Sequence, residues 1–195
     1  MILTFVDTEA TGLKLDKHEI IEFGALRTEL DSRTLQFKVL DSFSFRIKPL
    51  HIDRASDEAL KMNGYSVKKW ERAIHPRDSI PLMKGLIEST DLLVGQNLIC
   101  DLRFIKKMFK KYKNSVIFPK YLDTKFMAED SGEQDTSLDG LCAKYRIQYS
   151  GKAHTAAADC ERTYKVFKEL LYSSSLQYFT FSEPFIPERH YDKKI

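Results

Sequence analysis

The chain has 195 residues, 43% of them apolar and 30% charged, with a formal net charge of +3. Such values describe one domain with a sizeable core and exclude a largely disordered chain, while the small positive surplus only hints at a polyanionic partner. Cys100, Cys142 and Cys160 form no CxxC pair, which argues against a disulfide framework or a zinc cluster and for reduced thiols. No apolar run approaches the roughly 20 residues that span a bilayer, and MILTFVDTEATG lacks the basic flank and length of a signal peptide. The expectation is a soluble cytoplasmic protein with no membrane partner.

No repeat or Pro/Gly linker divides the chain. Ile2 to Glu9 reads as a strand that runs into a turn at Thr11-Gly12, and Ile20 to Arg27 is rich in strand formers. Ser42 to Ile47 alternates Phe43, Phe45 and Ile47 with polar neighbours, the period of a half-buried strand. Short links between the three predict an antiparallel meander. Ser56 is placed to cap a short helix ending at Gly64, and Ser79 to cap another with Leu82, Leu86 and Ile87 inward. Leu92 to Gly95 reads as a buried strand, followed by a helix carrying Leu102, Ile105, Phe109 and Tyr112 at helical spacing. Tyr121 to Thr124 is a further short strand. Ser137 opens a helix, and the last one runs from about Ala156 to Leu171. Three strands followed by alternating helices and strands predict an α/β fold with a mixed sheet. The domain is placed at residues 1–172, with 173–195 as an aromatic tail packed on it.

The chemistry shows first at Asp7-Thr8-Glu9. Residues two apart on a strand share a side, so both carboxylates project together near the strand's end. Like charges there repel unless a cation lies between them, and magnesium or manganese favours carboxylate oxygens. A solvated strand end is the bland alternative. Asp101 lies on or beside the apolar stripe of its helix, one turn after Asn97, which could support it; an N-cap is the other reading. His154-Thr-Ala-Ala-Ala-Asp159 leads into the final helix and again sets a carboxylate on the inner side, with an imidazole in the entry loop. Four acids and a histidine on a strand and two helices suit a site for two divalent cations that hydrolyses phosphodiesters, with His154 as general base.

FVDTEATGL, HEIIEFGALR, LVGQNLICDLRFI, SLDGLCAKY and HTAAADCERTYKVFKEL together resemble the DEDDh 3′–5′ exonucleases, the family of the proofreading (epsilon) subunit of bacterial DNA polymerase III. The resemblance implies an RNase H-like sheet, three antiparallel strands then parallel ones, flanked by helices. It implies two Mg²⁺ or Mn²⁺ ions, both bridged by Asp7, with Glu9 and Asp159 on the first, Asp101 supporting the second, and His154 as the base. The backbone around Thr8 and Ala10 would approach the terminal nucleotide, Leu13 would wedge against the bases, and Asn63 and Asn97 would lie along the substrate. Two positions depart from the pattern: Cys100, where an aromatic is usual, and Gln96, where a histidine is frequent. The implied activity is release of nucleoside 5′-monophosphates from single-stranded 3′ ends, DNA before RNA, with a polymerase or sliding clamp as a possible partner. A 3′–5′ exoribonuclease is the alternative. A binding module without turnover and a phosphatase acting on mononucleotides are the rivals from other classes. The lysines at 106, 107, 110, 111 and 113 read first as a solvated face, with phosphate tracking second. Gln177 to Phe181 is weighed as a clamp-docking peptide, against a tail packing its own aromatics.

Overall fold

A computed structural model describes residues 1–173. Its sheet has the order β3-β2-β1-β4-β5, built from β1 (Ile2–Ala10), β2 (Ile20–Asp31), β3 (Gln36–Arg46), β4 (Leu92–Gly95) and β5 (Lys120–Asp123). The first three strands are antiparallel, while β4 runs parallel to β1 and β5 parallel to β4. The expected mixed sheet is therefore present. β2 and β3 each reach further than their apolar runs, because a long hairpin continues the ladder through polar pairs such as Glu29–Lys38.

β1 is central, and both of its faces are covered. Leu3 and Phe5 face the core shared with α6 (Ala156–Ser173), where Phe5 meets Tyr164 and Phe167 edge-on at centroid distances of 5.2 and 5.4 Å. Val6 faces the other core, with α2 (Pro76–Glu88) and α3 (Ile99–Lys111). A strand enclosed in this way reads as a nearly unbroken apolar run until it reaches its functional end. Gly24 on β2 stands opposite Asp7. A side chain there would lie 2.5 Å from the backbone carbonyl of Ala156, so the missing Cβ lets the start of α6 dock on the sheet.

Ser56 does cap α1 (Asp57–Asn63), and Gly64 ends it at φ 66°. α2 differs from expectation. It begins at Pro76 behind His75, and Ser79 lies inside it, donating to the Pro76 carbonyl at 2.7 Å. Proline at the first helical position supplies the pre-set φ that the reading gave to a serine cap. The inner face consequently shifts to Ile80, Met83 and Ile87, leaving Leu82 exposed. β5 stops at Asp123, whose side chain caps a helix the sequence reading missed, α4 (Thr124–Asp130). Ser137 caps α5 (Leu138–Lys144) as expected.

Trp70, the single tryptophan, is buried after α1. Its indole N–H donates to the Ile21 carbonyl at 2.8 Å, and the Arg46 guanidinium lies 4.8 Å from its ring. No helix among the described residues is long and apolar enough to cross a membrane. The domain end expected at residue 172 falls at the last turn of α6; the proposed tail and Gln177 to Phe181 lie outside the described residues.

Candidate active site

The C-terminal end of β1 sets the frame. Asp7 and Glu9 continue the side of Leu3 and Phe5, while Thr8 points to the opposite side. There Thr8 meets α3: its N–H and its hydroxyl both donate to Asp101 Oδ1, at 2.9 and 2.5 Å. Asp101 is 8% exposed and lies in the first turn of α3. It is not the N-cap, which is Leu98 and makes no side-chain bond. Nor does the amide of Asn97 turn to Asp101: Asn97 Nδ2 lies 3.3 Å from Cys100 Sγ. The start of α3 is pinned instead by Asp123, which accepts from the backbone N–H groups of Asn97 and Leu98 at 2.8 Å each. Gln96 bridges two further segments, donating to the Thr136 carbonyl at 2.7 Å and accepting from Thr124 Oγ1 at 2.6 Å. A glutamine has both a donor and an acceptor to do this.

The third element is α6. Asp159 lies in its first turn, 6% exposed, and each oxygen has a partner. The backbone N–H of His154 donates to Oδ2 at 3.1 Å, and the Arg162 guanidinium donates to Oδ1 at 2.6 Å. To make the first of these bonds, His154 adopts φ 61°, the left-handed region that non-glycine residues rarely occupy. Glu9, His154 and Asp159 each bring a ligand atom to within 4.8 Å of the others.

Burial first, and repulsion from Asp101, Asp159, Glu9 and Glu22 after it, push the Asp7 carboxyl well above its usual range. Burial and Asp159 push Glu9 to about 8. Burial lifts Asp101 to about 7 against the two Thr8 bonds that favour its charged form. Glu22 was not singled out from sequence. It stands directly opposite Glu9 in the β1–β2 ladder, buried, with its carboxyl also raised by burial. Like charges placed opposite one another destabilise a sheet unless a cation joins them. The signal was available, since an acid interrupts the apolar run of IIEFGALR. Arg162 was missed too, because an arginine three residues after an acid reads as a surface pair. Hard carboxylate oxygens with one imidazole, three of the carboxyls raised by burial and mutual repulsion, are a donor set that fits magnesium or manganese.

A groove of about 560 Å³ opens beside the cluster, lined by Thr8, Glu9, Ala10, Leu13, Asn63, Cys100, Asp101 and Phe104 among others. Leu13 stands 95% exposed at its rim. Asn63 is buried in the wall, its amide donating to the Ala10 carbonyl at 3.2 Å and so tying α1 to the end of β1. Of the basic run, Lys107 bonds the His18 carbonyl at 2.7 Å and Lys111 pairs with Glu19 at 3.3 Å, so two lysines stitch the β1–β2 loop to α3. Lys106, Lys110 and Lys113 face solvent, and Lys14 and Lys17 edge the groove.

A family model described as "Exonuclease" (RNase_T) matches residues 4–167. The DNA polymerase III PolC-type protein of Ureaplasma parvum is 24% identical over 164 residues, and that of Thermotoga petrophila 29% over 168. These alignments take in 83% and 84% of this chain but only 11% and 12% of the relatives, so the chain spans about a tenth of their length. Among solved structures, E. coli Exonuclease I in complex with a dT13 oligonucleotide superposes with a TM-score of 0.75 at 17% identity, covering 87% of this chain and 41% of that one. The nuclease domain of 3′hExo, a DEDDh family member bound to rAMP, gives 0.72 at 18% identity, covering 89% and 92%. Both share the fold. The family match embraces the three elements just described, from Asp7 on β1 to Arg162 on α6, and this chain belongs to the exonuclease family, as the resemblance of its motifs implies.

Proposed function

We propose that the protein is a DEDDh-type 3′–5′ exonuclease that hydrolyses phosphodiester bonds at single-stranded 3′ ends, DNA before RNA, and releases nucleoside 5′-monophosphates. The observation that carries this reading is the convergence of Asp7 and Glu9 on β1, Asp101 on α3, Asp159 on α6 and His154 in the loop before it, beside a groove that Glu9 and Asp101 line. Asp7 would be shared between two Mg²⁺ or Mn²⁺ ions, with Glu9 and Asp159 on one and Asp101 on the other. Such ions, when bound, polarise the scissile phosphodiester and offset the charge that gathers on its oxygens. His154 takes the proton of the attacking water as its oxygen bonds to phosphorus and the bond to the 3′ oxygen breaks. Its loop position suits this task, because the ring is not confined to the helix that holds Asp159. The exposed Leu13 separates the terminal base from the next, and the backbone around Thr8 and Ala10 approaches the last nucleotide. Asn63 holds the groove wall along the strand, and Asn97, at the start of α3, would meet the strand beside Asp101.

DNA is favoured because the curated relatives are DNA polymerases by name and one structural neighbour holds a deoxyoligonucleotide. The rAMP-bound neighbour keeps a second reading in play, a 3′–5′ exoribonuclease. Association with a polymerase or a sliding clamp belongs to the DNA reading. The test uses 5′-labelled single-stranded DNA and RNA of one sequence, with Mg²⁺ or Mn²⁺, beside Asp7→Ala. A ladder shortening from the 3′ end, faster on DNA and absent in the variant, is expected. Faster loss of RNA would replace the substrate, and turnover of mononucleotides alone would replace the reaction.

A further inference from the structure

Arg162 is 2% exposed, an unusual place for a guanidinium. It forks between two carboxylates. One nitrogen donates to Asp159 Oδ1 at 2.6 Å, and the other pairs with Asp139, which lies in the first turn of α5 and keeps most of its side chain in solvent. The face of the guanidinium stacks on Tyr149, 4.9 Å from the ring centroid. Both oxygens of Asp159 therefore have a donor, Oδ1 from Arg162 and Oδ2 from the His154 N–H, while a carboxylate oxygen remains within 4.8 Å of ligand atoms of Glu9 and His154. A carboxylate oxygen accepts more than one bond, so these contacts orient Asp159 without exhausting it.

We propose that Arg162 is a positioning residue that aims Asp159 at the cation shared with Glu9, and that Asp139 on α5 anchors it. The proposal rests on the reading of Asp159 as a metal ligand. Partners behind a ligand fix its direction, and their loss typically lowers metal affinity or activity by about 10- to 100-fold. The planar fork matters as much as the charge. It spans two carboxylates from two helices, which the point-like ammonium of lysine does not. A guanidinium that only neutralised a buried acid would be replaced by lysine without effect on the metal.

The test titrates the full chain with Mn²⁺ by calorimetry, without nucleic acid, for the parent, Asp159→Asn, Arg162→Met, Arg162→Lys and Asp139→Asn. Turnover and KM on a labelled oligonucleotide are measured alongside. Arg162→Met and Arg162→Lys should weaken Mn²⁺ binding by about 10- to 100-fold, with kcat falling and KM for the oligonucleotide held. Asp139→Asn should act in the same direction by a smaller factor. Should Arg162→Met fail to fold, Arg162→Lys and Asp139→Asn, which keep the cation beside Asp159, carry the test. Mn²⁺ affinity within about twofold of the parent in both, with Asp159→Asn still weakened, overturns the positioning role alone. Unchanged affinity in Asp159→Asn overturns the ligand assignment, and the role of Arg162 with it.

Discussion

Replacing Glu9 by glutamine should remove activity and yet stabilise the protein when no divalent ion is bound. The Glu9 carboxyl is raised from 4.5 to about 8 by burial and by Asp159, Glu22 and Asp101. A group whose folded pKa lies above its unfolded value contributes fully below the unfolded value, and that contribution is lost as pH rises toward the folded one. For Glu9 the window runs from about pH 4.5 to about 8. At about 1.36 kcal/mol per pH unit, the loss above that window is at most about 4–5 kcal/mol. Glu9 keeps some surface in water, so we expect about 1–3 kcal/mol to be measurable. Glutamine mimics the protonated form at every pH. In a chelator at pH 8.5, Glu9→Gln should therefore melt roughly 3–10 °C above the parent, at the usual 2–4 °C per kcal/mol for a domain of this size. At pH 4 the two should nearly coincide, and Mn²⁺ should close the gap at pH 8.5 by raising the parent. A variant that melts at or below the parent at pH 8.5 in chelator would refute the claim that these carboxylates repel one another in the folded state.

His154→Ala should lower turnover by about 10²-fold or more while Mn²⁺ binding persists, since the base is lost and the carboxylates remain; an unchanged rate removes His154 from the chemistry. Thr8→Val removes the 2.5 Å hydroxyl bond to Asp101 but keeps the N–H bond. Because both bonds favour the Asp101 carboxylate, the acid limb of the activity profile should move to higher pH, and an unmoved limb would show that Thr8 only packs. Gly24→Ala places a methyl against the Ala156 carbonyl and should cost about 1–3 kcal/mol in a melt, with turnover reduced because α6 carries Asp159. A variant of parental stability and rate would mean that α6 shifts freely.

Much of this was legible because it obeyed simple periods. The strand pattern placed Asp7 and Glu9 on one side, and the helical stripe ending in Leu170 and Leu171 placed Asp159 inward. Ser56 and Ser137 announced their helices because a serine before a helical stripe has one obvious task. What escaped depended on tertiary partners. From sequence Thr8 has only a backbone role near the terminal nucleotide, and its hold on Asp101 shows only once α3 is in place; Glu22 joins the cluster only through the register of β2 on β1. Ser79 misled because the helix starts a turn earlier, at Pro76, with His75 Nδ1 capping it by accepting from the Arg77 N–H. α4 was missed because Asp123 ends a strand and caps a helix at once, leaving no loop between them. The lysine run divided in a way no spacing could foretell, two of its members going to backbone and carboxylate partners on the β1–β2 loop.

The lone tryptophan turns this fold into its own optical instrument. Trp70 hangs from the Ile21 carbonyl by its indole N–H, with Tyr65 5.0 Å from it and a guanidinium over its face. The segment that holds it follows directly on α1, whose Asn63 is tied to the end of β1 in the groove wall. Fluorescence excited in the indole band therefore comes from one known place, in the segment that follows the α1 wall of the groove. If a strand entering the groove shifts α1, that emission should change with it, in real time and with no dye attached to protein or substrate.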